Sequence, residues 1–132
     1  MPATIAAKFA ELAGAIAGVG SATDHEPMEL GELPAVSMLL VRTAQADVAT
    51  GIVERTWTWR VSLYLELRDY AEAQASMATL VPLLLDVTKN APDLAGTCEQ
   101  ATLSDGGEEP VFAHEQGVLR KSLQLVAVTE RV

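Results

Sequence analysis

Cysteine, histidine and clustered positive charge are nearly missing from this chain of 132 residues. Cys98 is the sole cysteine, which excludes an internal disulfide and a cysteine-based zinc site within one chain and is compatible with a reducing compartment. The two histidines, His25 in D-H-E and His114 in A-H-E, stand among acids in expected loops. Either pair alone offers too few ligands for a closed metal site, so solvated side chains are the reading and no metal is expected. The nine basic residues, Lys8, Arg42, Arg55, Arg60, Arg68, Lys89, Arg120, Lys121 and Arg131, are scattered against eighteen acids, for a net charge of −9. Binding the outside of a nucleic-acid backbone needs clustered cations, whereas an acidic channel through which DNA merely passes is compatible with this balance. No stretch reaches the roughly 20 apolar residues of a membrane span. Lys8 and Glu11 interrupt the Ala-rich segment from Ile5 to Val19 that otherwise suggests a signal peptide. Cytoplasmic residence in the producing cell is expected, without membrane contact.

Motifs that carry chemistry are equally scarce. Gly18 and Gly20, and the pair Gly106-Gly107, lack the strand, glycine turn, helix and Lys that cradle a phosphate. No serine stands in a nucleophile-elbow context, and Cys98 has no local base. The chain is therefore expected to be neither an enzyme nor dependent on a cofactor.

What is present is alternation. From Val53 to Arg68 one face carries Val53, Trp57, Trp59, Val61, Leu63, Leu65 and Leu67, broken only by Arg55, while the other carries mostly polar residues. Period-two patterning of this length marks a strand with one buried and one wetter face. The tryptophans sit two apart on the apolar face, where core packing is favoured over a base-stacking platform because no positive charge flanks them. Sixteen residues at about 3.4 Å each give on the order of 50 Å, longer than one small sheet covers. The outer end, Val53 to Trp57, is thus expected to extend past the domain and meet another chain.

Around this strand the other elements fall into place within one domain spanning residues 1–132. Ile5, Phe9, Leu12, Ile16 and Val19 recur at steps of three and four, predicting a helix with Thr4 as N-cap and Gly18 or Gly20 as stop. An acidic loop from Ser21 to Leu33 follows, then a strand from Pro34 to Thr43. Ala44 to Gly51 reads as the small, polar, mobile tip of a β-hairpin. Asp69 with Glu72 forms a capping box for a helix starting at Tyr70, whose inward stripe is Tyr70, Ala73, Met77, Leu80 or Val81, and Leu84. Pro82 is expected to kink this helix or split it after Leu80. Gly96 to Ser104 and Gln116 to Glu130 complete a second hairpin around the turn-rich D-G-G-E-E-P. The expected fold is α+β: an αββαββ sandwich with a four-stranded, mostly antiparallel sheet and helices packed on one face.

This element order, with W-T-W-R-V-S-L-Y-L-E-L running into D-Y-A-E-A and the final L-Q-L-V-A-V-T-E strand, resembles the tail terminator proteins of long-tailed bacteriophages. The resemblance spans Ile5 to Arg131 in pattern and element order. It implies a structural virion protein at the head-proximal end of the tail, assembled in the host cytoplasm as a hexameric ring. Such a ring caps the tail tube protein, ends its polymerisation and offers a surface to the head-tail connector, with DNA passing through the lumen. The family has no catalytic or cofactor residues to carry over. The resemblance gives two loops a meaning as interfaces: Gln45, Asp47, Val48 and Thr50 in the hairpin tip, and Asp105, Glu108, Glu109 and His114 in the later loop. Other neck or head-completion adaptor proteins, and a small soluble ligand-binding or enzymatic α+β domain, stand as alternatives.

Overall fold

The computed structural model describes residues 2–27, 29–113 and 117–131. In chain order these form α1 (Pro2–Gly14), β1 (Ser21–Ala22), β2 (Ala35–Ala49), β3 (Ile52–Glu66), α2 (Tyr70–Asn90), β4 (Gln100–Ser104), β5 (Val111–Ala113) and β6 (Val118–Arg131). The strands make one sheet in the order β1-β2-β3-β6-β4, with β5 paired to the beginning of β6 on the same side as β4. All pairings are antiparallel except the two-residue parallel bridge of β1 to β2.

The expected αββαββ sandwich with a four-stranded sheet under its helices is corrected to a mixed α/β architecture of two helices and a six-stranded sheet curled into half a barrel. The two additional strands, β1 and β5, are two and three residues long, too short to show a period. The curl has local causes as well. Register shifts between Leu40 and Arg42 and between Asp47 and Ala49 insert extra residues into β2, and such bulges bend a strand and increase its twist.

Inside the curl lies one core. Val36 and Met38 from β2, Trp59, Val61, Leu63 and Leu65 from β3, Ala101 and Leu103 from β4, and Leu123, Leu125 and Ala127 from β6 face Ile5 and Phe9 of α1 and Leu80 and Leu84 of α2. The alternation of the long strand thus resolves as expected for Trp59 to Leu65, and Trp57 packs partly buried beside them. The opposite face of β3 is drier than its polar sequence suggests. Leu30 and Leu33 of the loop before β2 cover Ala35, Tyr64 and Val118, and the Tyr64 hydroxyl donates to Glu26 at 3.2 Å.

Four further expectations change. Helix α1 stops at Gly14 instead of running on to Gly18, and Thr4 lies inside it. Ile16 and Val19 still pack against the core, but from turns bonded Ile16 N–H to Ala13 and Val19 N–H to Ile16. Helix α2 starts at Tyr70 with Asp69 accepting from the Ala71 N–H at 2.8 Å, yet it continues unbroken through Pro82 to Asn90. Leu80 and Leu84, buried on either side of Pro82, hold the turn that lacks one hydrogen bond. Tyr70 leaves the inward stripe: it is 57 % exposed and meets the Phe112 ring edge-on at 5.2 Å. Finally, Ala44 to Ala49 is strand, paired to β3 as far as Ala49 with Ile52, so the turn shrinks to Thr50 and Gly51, the latter at φ 79°.

Candidate functional site

The two edges of the sheet differ. On the β4 side the backbone is already bonded within the chain: Leu103 N–H donates to the Thr88 hydroxyl of α2 at 3.0 Å, and Ala101 N–H to the Pro92 carbonyl at 2.6 Å. On the other side β1 covers only Ala35 and Val36, with Thr23 N–H reaching the Val36 carbonyl at 2.9 Å. Beyond that point β2 has no described strand on its outer side, and every residue from Leu39 to Ala49 is exposed. Among them are Leu39, Leu40, Val41 and Val48, the last two 52 % exposed. A long strand edge that shows unpaired peptide groups and branched apolar side chains is a template for another strand.

The predicted interface residues divide between two places. Gln45, Asp47 and Val48 lie on this open edge and Thr50 in its turn, with Gln45 accepting from Arg55 Nε at 2.9 Å. Asp105, Glu108 and Glu109 lie in the loop joining β4 to β5; His114 lies outside the described residues. The loop is tied down by Lys121, only 7 % exposed, whose Nζ donates to Asp105 Oδ1 at 2.9 Å and to the Glu108 carbonyl at 2.6 Å. Asp105 also accepts from the Gly107 N–H at 2.8 Å. The Lys121 hydrogen bond, and then that of Gly107, hold its carboxyl below the ordinary carboxylate range. The hairpin turn lines a pocket of its own, whereas Val41 and Arg42, in the middle of β2, line one with Gly106 and Glu108.

That pocket, about 410 Å³, lies on the outer face of the sheet and exposes what the sequence reading passed over. Arg60-Val61-Ser62 and Arg120-Lys121-Ser122 repeat an Arg-x-Ser pattern on antiparallel strands, and the register sets Ser62 opposite Ser122 and Ser37 opposite Ser62. A row of three serines therefore crosses the sheet, with Arg60 on one side of it and Arg120 on the other. Ser37 Oγ, Ser62 Oγ, Arg60 Nε and Arg120 Nε are buried without a hydrogen-bond partner among the described residues. The repeated pattern was the available signal; only the register shows that the two copies meet.

Burial pushes the Cys98 thiol up, the reverse of an activated thiolate. His25 is exposed and bonds Asp24 at 2.8 Å. Among the described residues no three His, Cys, Asp or Glu side chains converge, and no helix is long and apolar enough to cross a membrane. No protein-family model matches the chain, and no curated protein is similar to it in sequence.

Proposed function

We propose that this chain is a structural protein that joins copies of itself into a ring and, in that form, serves as a tail terminator of a long-tailed phage, capping the tail tube and meeting the head-tail connector. The observation that carries the reading is the open β2 edge, which from the residue after Met38 to Ala49 is exposed, carries four large apolar side chains and has no described strand on its outer side. A ring needs two different, complementary surfaces on opposite sides of each subunit. The second is available across the sheet, where β5 pairs β6 and Val111, 50 % exposed, stands next to Phe112, whose ring meets Tyr70. Strand directions support head-to-tail addition. β2, β3, β6 and β5 alternate in direction, so a second copy in the same orientation would lay its β2 antiparallel to β5 of the first. The β4 edge, spent on Thr88 and Pro92, steers addition to the β5 end.

Six copies would carry a formal charge of −54, six times −9, which suits a lumen that lets DNA pass without adhering. The test is light scattering coupled to size exclusion over a range of protein concentrations, with and without magnesium to relieve repulsion between acidic subunits. A species near 84 kDa, six times 14.0 kDa, is expected. A monomer under every condition, and also when mixed with preformed tail tubes, would overturn the reading.

A further inference from the structure

We infer that the outer-face pocket is a carboxylate-binding site, filled on assembly by an acidic side chain of a second copy; the source of the carboxylate rests on the assembly reading above, the chemistry of the site does not. Arg42 and Arg60 both line the pocket. They belong to adjacent strands, Arg42 opposite Thr58 and Arg60 two residues further on, which places their backbones on the order of 7–8 Å apart. Two guanidinium forks at that spacing can close on one planar anion, and Ser122 and Gln124 at the wall add neutral donors. Neither arginine has an ion pair among the described residues, in a chain with twice as many acids as bases.

Independent support comes from the polar atoms that the fold leaves unsatisfied. Of the four buried side-chain atoms without a partner among the described residues, Arg60 Nε belongs to the pocket wall, while Ser37 Oγ, Ser62 Oγ and Arg120 Nε lie on the same face outside the lining. A buried donor left unmade is costly, so the unpartnered Arg60 Nε marks this wall of the pocket as a place built to receive an acceptor. Glu108 selects the kind. Its presence at the same pocket leaves a formal charge of +1 from Arg42, Arg60 and Glu108, which matches a single carboxylate better than a phosphate dianion. The pocket also borders Val41 on the open β2 edge, so a strand added there would bring its own side chains within reach.

The side-chain Nε–Hε resonances of Arg60 and Arg42, followed by ¹⁵N NMR, test both halves. In dilute protein, sodium acetate is expected to shift them saturably while sodium chloride at equal ionic strength does not. Concentrating the protein without acetate is expected to produce the same shift as the oligomer forms. Arg60→Gln should abolish both responses and weaken association about ten- to hundredfold. No saturable acetate shift, or an equal response to chloride, would overturn the site even if the oligomer forms, leaving the assembly reading untouched. An acetate response with Arg60 unmoved on oligomerisation would overturn the second copy as the source and point to a free small carboxylate. An acetate response in a protein that never associates would overturn the assembly reading and the source together, while the carboxylate site stands.

Discussion

Val41→Lys separates assembly from folding, because Val41 is half exposed at a bulge of the open edge and contributes little to the core. In the monomer the lysine stem covers about the area of the valine and its ammonium stays in water, so folding stability should change by no more than about 0.5 kcal/mol. In the proposed ring the balance is different. A valine is worth about 2 kcal/mol when fully buried, so covering its exposed half with a second copy contributes about 1 kcal/mol per interface. Placing an unpaired ammonium there instead adds a desolvation cost of several kcal/mol. Together these remove at least about 3 kcal/mol per interface, more than a hundredfold in affinity. Light scattering should show the variant as monomer at concentrations where the parent is a ring, with a melting temperature within a few degrees of it. An unchanged mass distribution would refute the assignment of β2 as the joining edge.

Three further outcomes concern the fold and its polar face. Trp59→Ala should cost about 3–5 kcal/mol in denaturant unfolding, since Trp59 is 3 % exposed at the centre of the core, and a near-unchanged midpoint would contradict that placement. Ser62→Ala should raise the stability of the monomer by about 1 kcal/mol, because it deletes a buried hydroxyl that has no partner among the described residues; destabilisation would mean that the hydroxyl is already satisfied. Asp105 has a folded-state carboxyl held below its ordinary value by Lys121, so the stability it contributes is present above the ordinary Asp range near 3.9 and is lost as pH falls through the depressed folded value. The stability gap between the parent and Asp105→Asn should accordingly be flat above about pH 5 and close below about pH 4, and a gap that widens on acidification would refute the pairing.

Much of this follows from patterning that any reader of the chain can see. The apolar face from Trp59 to Leu65, the Asp69 cap and the buried stripe Ala73, Leu80, Leu84 are local signals, and the structure places them accordingly. Ala44 to Ala49 was hidden for the opposite reason. Ala, Gln and Asp favour strand weakly, and it is pairing with β3, itself held by β6 on the other side, that draws this stretch into the sheet. Tyr70 had the right spacing for the core, yet as the first residue of α2 it turns to Phe112 instead. The serine row and its flanking arginines depend on the pairing of residues 25 and 60 positions apart, information that periodicity within one strand does not contain.

The asymmetry of the edges also gives the net charge a structural role. Natural sheets usually guard an exposed edge with lysine, proline or short length. From Leu39 to Ala49 this edge has none of the three: Arg42 and Asp47 are its only charges, and they cancel. Apart from its two bulges, local protection against edge-to-edge pairing is therefore weak, and the whole-molecule charge of −9 opposes the approach of a second copy. That repulsion acts over about 8–10 Å at physiological ionic strength, whereas strand pairing and burial of Leu39, Leu40 and Val41 act only at contact. A long-range barrier around a short-range sticky edge slows random collisions without weakening a correctly seated one. It is the combination that the proposed ring subunit would need in order to wait for an ordered neighbour or a template while leaving so apolar an edge uncovered.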